Sequence, residues 1–157
     1  MKEKSYVMVK PQFANSKMVI EEVTKRLQNA GLKITQADFV RYDAKHAQQH
    51  YHEHVGKDFY PNLEAYITSD KAYGMIVEGE NAIATIRTLV GSTKNSAPGT
   101  IRHDIPVKLG IAPRVTENVV HASDCVEAAE KESAIFNDLV TEKQKWSAEE
   151  LADLEKY

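Results

Sequence analysis

A single histidine stands at the end of a short apolar segment, where it could act as a nucleophile. His121 closes residues 118–121 (NVVH), and Ser123 and Asp124 lie two and three residues after it. Near pH 7 much of an imidazole is neutral, and its lone pair can attack a phosphoryl group. Strand ends are places where such a group reaches solvent while the sheet holds it still. A structural role is the commoner outcome for a lone histidine, so this segment by itself marks only a candidate.

A long segment punctuated by glycine and proline precedes this histidine. It contains Thr93, Thr100 and Arg102, and Arg87 lies just before it. Arginine presents a planar fork of donors that matches phosphate oxygens. We expect residues 92–117 to be irregular and to form a candidate phosphate-binding loop. From composition alone, a surface loop whose arginines pair with carboxylates is the alternative.

Three further histidines, His50, His52 and His54, form a cluster. On a continuous helix their successive directions differ by about 200°, so only the outer pair shares a face. Because a zinc site would need another ligand that the sequence does not offer nearby, we interpret the cluster as a solvated helix face. The sequence contains neither a P-loop motif nor GxGxxG, and no paired cysteine motif.

The overall composition is that of an ordinary globular chain. It has 157 residues, 42% of them apolar and 27% charged, with a net charge of −3. This charge does not favour a nucleic acid as the main partner. One cysteine, Cys125, suits a reducing compartment, and we expect a cytoplasmic protein without a signal peptide, a membrane span or a membrane partner.

The elements that must position these residues alternate regularly. The patterns predict strands at residues 5–9, 32–42, 72–77 and 118–121, and helices at 15–30, 43–54, 59–69, 81–90, 124–136 and 147–157. Asp124 is the expected cap of the fifth helix, with Glu127 in capping-box position. Without the inserted helical pair, this order is βαββαβ. It predicts a ferredoxin-like α+β fold, a four-stranded antiparallel sheet with helices on its faces.

Five segments together resemble the nucleoside diphosphate kinase family over residues 4–136. They are VKP (9–11), HYHEHVGKDFYPNLEAYITS (50–69), VEGENAIATIRTLVGST (77–93), PGTIRHD (98–104) and NVVHASDCVEAAEKE (118–132). The last is similar to the family signature NxxHGSDSxExAxxE, which is specific. The resemblance implies transfer of the γ-phosphoryl group of ATP to nucleoside and deoxynucleoside diphosphates by a ping-pong cycle.

The resemblance also implies a role for individual residues. His121 matches the nucleophile, which becomes a phosphohistidine on its Nδ1 (pros) nitrogen. Catalytic support is implied for Glu132, which would hold the ring, and for Ser123, Tyr51 and Lys10.

Nucleotide binding is implied for a second, overlapping set. Arg87, Thr93 and Arg102 match residues that bind phosphates, and Lys10 and Asn118 match those at the sugar and phosphates. Phe59 matches the ring on which the base stacks, with Leu63 beside it. Mg²⁺ is the implied cofactor, bridging phosphates rather than occupying a protein cage.

Several positions depart from the family pattern. Gln12 replaces an aspartate, NSKMVIEE replaces RGL[IV]G, and Ala122 replaces the glycine after the histidine. The segment between Thr93 and Pro98 is shorter than usual, and that between Arg102 and Asn118 is longer. Arg114, within the longer segment, receives no role. The tail beyond residue 136 also diverges, so we expect one domain over residues 1–157 with residues 136–157 as a divergent extension.

Two alternatives share the same residues. One is a non-catalytic nucleotide-binding relative, and the other is a histidine phospho-carrier that donates to proteins. The family forms tetramers and hexamers, and the resemblance implies a homo-oligomer, with a hexamer favoured.

Overall fold

The computed structural model describes residues 2–93, 96–111 and 118–156. The strands are β1 (Lys2–Val9), β2 (Lys33–Val40), β3 (Ala72–Glu80) and β4 (Val120–Ala122). The α-helices of the described residues are α1 (Lys17–Asn29), α2 (Ala44–His50), α3 (Tyr60–Ile67), α4 (Ala82–Val90), α5 (Ile101–Leu109), α6 (Val126–Lys143) and α7 (Ala148–Leu154). Short 3₁₀ turns occur at Phe13–Asn15 and His52–His54. None of the described helices has the length and apolar character needed to cross a membrane.

The four strands form one antiparallel sheet in the order β2-β3-β1-β4. The predicted ferredoxin-like α+β fold is therefore confirmed. The short edge strand β4 pairs with the central strand β1, and the register places His121 opposite Met8. Because directly paired residues point to the same face of a sheet, His121 and Met8 share a face.

Two apolar cores cover the two faces. On one face, Val7 and Val9 of β1 pack with residues of α1, α4 and α5. On the other, Tyr6 and Met8 pack with residues of α2, α3 and α6. Helix α6 approaches strand β3 closely because residue 74 of that strand is glycine. A Cβ added at Gly74 would lie 2.6 Å from the ring of Phe136. His121 thus faces the second core and the helices α2 and α6.

The expectation of irregular structure over residues 92–117 was wrong for α5. Ile101 and Ile105 are one helical turn apart and fully buried, so this segment gains enough apolar contact to be helical. Gly110 ends the helix in the left-handed conformation, with φ 71°. Pro106, which cannot donate a backbone hydrogen bond to Arg102, lies inside the helix and obscured it in the sequence. The rest of the long segment, residues 112–117 with Arg114, lies outside the described residues.

Two boundaries near His121 also differ from the prediction. Strand β4 begins at Val120 rather than at Asn118. The cap of α6 is Cys125, whose Sγ accepts the backbone N–H of Ala128 at 3.4 Å, and not Asp124. The side chain of Asp124 instead forms an ion pair with Arg87.

Candidate active site

A strained turn fixes the chain just before His121. Val119 has φ 78°, and the N–H of Val120 donates to the carbonyl of Asn118 at 3.0 Å, which closes a γ-turn. Such a conformation is unfavourable for a β-branched residue. The backbone N–H of Lys10 donates to the carbonyl of Val119 at 2.8 Å and ties the turn to the end of β1. The start of β4, and with it His121, therefore has a defined position on the sheet edge.

His121 is held from behind by α6. Its Nε2 lies 2.8 Å from Oε1 of Glu132, and the same oxygen accepts a hydrogen bond from Oγ of Ser123 at 2.7 Å. Ser123 Oγ also accepts the backbone N–H of Tyr6 at 3.0 Å. Because a carboxylate accepts, the proton belongs on Nε2 of His121, and Nδ1 keeps its lone pair.

Burial keeps the imidazole of His121 neutral. It lowers the pKa of His121 to about 3, and the positive charges of Lys10 and Arg102 act in the same direction. Burial also raises the pKa of Glu132, against the opposing effects of His50 and of the hydrogen bond from Ser123. A neutral ring with a free Nδ1 is the protonation state that a phosphoryl acceptor needs at pH 7.

A cavity of about 170 Å³ opens in front of the ring. Of the residues singled out in the sequence, it brings together Tyr51, Arg87, Thr93, Arg102, His121 and Glu132. His50, Glu53, His54, Ala122 and Asp124 complete its lining. Residues far apart in the chain thus meet around one histidine.

Two arginines give the cavity a positive wall. Arg102, on α5, donates to the carbonyls of Gly91 at 2.8 Å and Val120 at 3.0 Å, so it joins the end of α4 to β4. Burial and the charge of Arg87 lower the pKa of Arg102 to about 10, which leaves it charged at pH 7. Arg87 is half exposed and pairs with Asp124.

Lys10 and Asn118 form a buried pair beside this cavity. Nζ of Lys10 donates to Oδ1 of Asn118 at 2.8 Å, and both residues are buried. Burial and the charge of Arg102 lower the pKa of Lys10 to about 7. The pair does not line the cavity in front of His121, although the charge of Lys10 is felt by the ring.

Phe59 and Leu63 lie further out. The ring of Phe59 is 51% exposed and packs against His54 with centroids 5.4 Å apart, whereas Leu63 is buried. Neither residue lines the cavity, but His54 does and connects it to Phe59. Nζ of Lys57 lies over the ring of Phe59, 5.8 Å from its centroid, and half of the side chain is open to solvent, where a planar ring could stack.

The interpretation of the histidine cluster as a solvated helix face was wrong for His50. Helix α2 ends at His50, which is buried, and the chain turns into a 3₁₀ turn at His52–His54. The ring of His50 meets that of His121 with centroids 4.6 Å apart. Sequence reasoning also missed His54 and Asp124 as cavity residues. The alternating histidines of HYHEH could have indicated a site. The prediction instead assumed one continuous helix through these residues, and the structure does not contain it.

The carboxylates at the mouth of the cavity could bind a metal ion that enters together with a phosphate-bearing ligand. Its carboxylates Glu53 and Asp124 are both exposed, and neither belongs to the clusters of three potential metal ligands found among the described residues. Mg²⁺ favours oxygen ligands and commonly bridges substrate phosphates through only one or two carboxylates. The residues present therefore fit Mg²⁺ carried by phosphates.

Comparison with known proteins agrees with this arrangement. The family model for nucleoside diphosphate kinase matches residues 3–139. A nucleoside diphosphate kinase of Staphylococcus epidermidis is 40% identical over 136 residues, covering 85% of this chain and 87% of that protein. One of Metallosphaera sedula is also 40% identical over 136 residues, covering 85% and 92% of the two chains.

A solved structure extends the likeness to three dimensions. A halophilic nucleoside diphosphate kinase from Halobacterium salinarum, in complex with CDP, superposes with a TM-score of 0.77 at 36% identity. The match covers 87% of this chain and 88% of that one. Fold and site together define a ferredoxin-like α+β enzyme. The chain belongs to the nucleoside diphosphate kinase family, phosphotransferases that catalyse ATP + NDP = ADP + NTP.

Proposed function

We propose that this enzyme works by a ping-pong cycle through a phosphohistidine at His121. Nδ1 attacks the γ-phosphorus of ATP, the bond to the β,γ-bridging oxygen breaks, and ADP leaves. A nucleoside or deoxynucleoside diphosphate then enters, and its terminal oxygen takes the phosphoryl group from Nδ1. The observation that carries this proposal is the 2.8 Å contact between Nε2 of His121 and Glu132, which leaves Nδ1 with its lone pair.

The surrounding residues support the remaining roles. Arg87, Arg102 and Thr93 would bind the phosphates, since phosphoryl transfer needs positioning and positive charge more than covalent chemistry from the protein. Lys10 and Asn118 would act at the sugar and phosphates. The hydroxyl of Tyr51 is buried in the cavity wall without a hydrogen-bond partner in the described residues. It would contact the phosphoryl group during transfer. Ser123 would keep Glu132 in place.

The nucleotide would enter over Phe59. Stacking of the base on this exposed ring, with Leu63 beside it, would tolerate purines and pyrimidines because every base has a π-face. The structure of the Halobacterium salinarum relative was solved in complex with CDP. By analogy, ATP and other nucleoside di- and triphosphates are the expected ligands of this chain. Mg²⁺, when bound, would neutralise charge on the phosphates.

We further propose a single catalytic domain over residues 1–157. Lys143 donates to Oδ1 of Asp38 at 2.7 Å and to the carbonyl of Phe39, and Leu154 packs with Ile20 and Phe39. These contacts tie the divergent C-terminal extension to the sheet edge. The exposed thiol of Cys125 suits a reducing compartment, so a cytoplasmic location is proposed.

A two-stage labelling experiment tests the cycle. The protein is incubated with Mg²⁺ and γ-labelled ATP, freed of nucleotide, and then given a diphosphate. We expect an acid-labile label on the wild type that the diphosphate removes as labelled triphosphate. His121→Ala should take up no label, and His52→Ala, which removes an exposed histidine, should behave like the wild type.

Each alternative has its own outcome. A non-catalytic relative would take up no label while still binding nucleotide. A phospho-carrier for proteins would become labelled but would not be discharged by diphosphates. Turnover that persists in His121→Ala would exclude the mechanism.

A further inference from the structure

The nucleophile belongs to a cluster that its proposed reaction does not fully use. His50 at the end of α2, His121 on β4 and Glu132 on α6 each present one potential metal ligand, and these atoms lie within 4.8 Å of one another. The rings of His50 and His121 are nearly perpendicular, at 70°. Three separate elements therefore converge on one point.

His50 is the unexplained member of this cluster. It is only 6% exposed, and within the described residues neither ring nitrogen has a hydrogen-bond partner. Buried polar groups in native proteins are almost always satisfied, and leaving one unpaired is costly. Its neighbours Tyr6, Tyr42 and Tyr51 contact it through their rings rather than by hydrogen bonds. A ligand bound to a nitrogen of His50 would remove this cost.

The donor set selects the kind of ligand. Two imidazole nitrogens and one glutamate oxygen, with room for a solvent ligand, form a common zinc set. Ligand atoms around tetrahedral Zn²⁺ are about 3.4 Å apart, given bonds of about 2.1 Å. Small side-chain rotations bring a cluster within 4.8 Å to that size. Mg²⁺ is a poor match because it prefers oxygen ligands and octahedral geometry.

We propose that His50, His121 and Glu132 form a site for Zn²⁺ or a similar borderline divalent ion, and that its occupation excludes phosphorylation of His121. If Nε2 of His121 binds the metal, its proton must move to Nδ1, which then has no lone pair. If Nδ1 binds the metal, that lone pair is used directly. Either way, a ring that already holds the metal has no lone pair on Nδ1 with which to attack the γ-phosphorus.

Metal binding is tested without nucleotide. The wild type is titrated with Co²⁺, whose visible spectrum reports tetrahedral nitrogen and oxygen ligands, and Zn²⁺ is then added to displace it. We expect about one tetrahedral Co²⁺ per chain. His50→Gln should bind at least about tenfold more weakly, whereas His52→Gln, the same change at an exposed histidine, should match the wild type.

The second arm tests whether the metal blocks labelling. Zn²⁺ added before the labelled ATP should prevent labelling of the wild type but not of folded His50→Gln. A wild type without the spectrum, or equal binding by folded His50→Gln, would overturn the site. If His50→Gln does not fold, His121→Gln decides the matter, since cobalt binding equal to that of the wild type also overturns the site.

The exclusion, unlike metal binding, rests on the proposed phosphohistidine. The metal titration and the labelling experiment therefore test the two claims independently. Cobalt binding without any labelling would leave the metal site standing and remove the phosphohistidine.

Discussion

At the scale of single residues, the position of one proton decides what His121 can do. Oε1 of Glu132 lies 2.8 Å from Nε2 of His121 and also accepts from Ser123, so the carboxylate is itself held in place. A carboxylate that only accepts fixes the tautomer with Nδ1 unprotonated. Glu132 acts through His121 and is a positioning residue.

Replacing Glu132 by glutamine should therefore slow phosphorylation without abolishing it. The amide can donate as well as accept, so the ring tautomer and its orientation are no longer fixed. We expect kcat to fall about ten- to a hundredfold with a much smaller change in KM, measured by steady-state kinetics. Glu130→Gln, on the exposed side of the same helix, is the control. A parallel rise in KM with unchanged kcat would argue for nucleotide binding instead.

At the scale of elements, helices α2 and α6 are clamped together by His46. This histidine is fully buried, and its Nδ1 and Nε2 lie 2.7 Å and 2.6 Å from carboxylate oxygens of Asp43 and Asp138. Burial alone would lower the pKa of His46, but the hydrogen bonds to Asp138 and Asp43 outweigh it and raise the pKa. Because α2 carries His50 and α6 carries Glu132, the clamp holds two walls of the site.

The clamp predicts a pH-dependent stability. A raised pKa means that the stabilisation by His46 is fully present below the unfolded value of about 6.5 and is lost as pH rises through the folded value. His46→Asn should lower the free energy of unfolding by about 1–3 kcal/mol near pH 6, and by less near pH 9. Urea unfolding at both pH values measures this, with His52→Asn as control. An equal loss at both would show that the imidazole is not charged in the fold.

Helix α5 contributes through Arg102. Its guanidinium links the end of α4 to β4 and also faces the cavity. We expect Arg102→Ala to lower kcat at least about tenfold while circular dichroism shows a folded chain. Arg41→Ala, at an exposed arginine that does not line the cavity, should keep full activity. An unchanged rate in Arg102→Ala would mean that the longer segment has shifted the register of the site.

At the scale of the whole molecule, exposed apolar residues lie together at the end of α5. Val107, Leu109 and Ile111 are 61%, 38% and 48% exposed, and clustered apolar surface commonly marks an interface. We propose the homo-oligomer implied by the sequence, with a hexamer favoured over a tetramer. Sedimentation velocity should give the mass of six chains, and Val107→Glu should produce smaller species. A monomeric wild type would contradict this proposal.

The sequence was sufficient where periodicity and family motifs agreed. The strands, α1, α3, α4 and the meeting of Arg87, Arg102 and His121 were foreseen. It failed where tertiary contacts decided the local structure. Helix α5 depends on buried Ile101 and Ile105 despite Pro106, and the burial of His50 depends on α2 ending there. Cys125 caps α6 in place of Asp124, whose side chain pairs with Arg87, a residue remote in sequence.

The central claim is that the phosphoryl group is carried on Nδ1 of His121, and the phosphoenzyme can be examined directly. Proton–phosphorus correlation NMR of the labelled protein distinguishes a phosphate on Nδ1 from one on Nε2, because the ring protons couple differently to phosphorus. The structure predicts a single phosphohistidine on Nδ1, because Nε2 is turned toward Glu132. Phosphorus on Nε2 of His121, or on any other residue, would contradict this account.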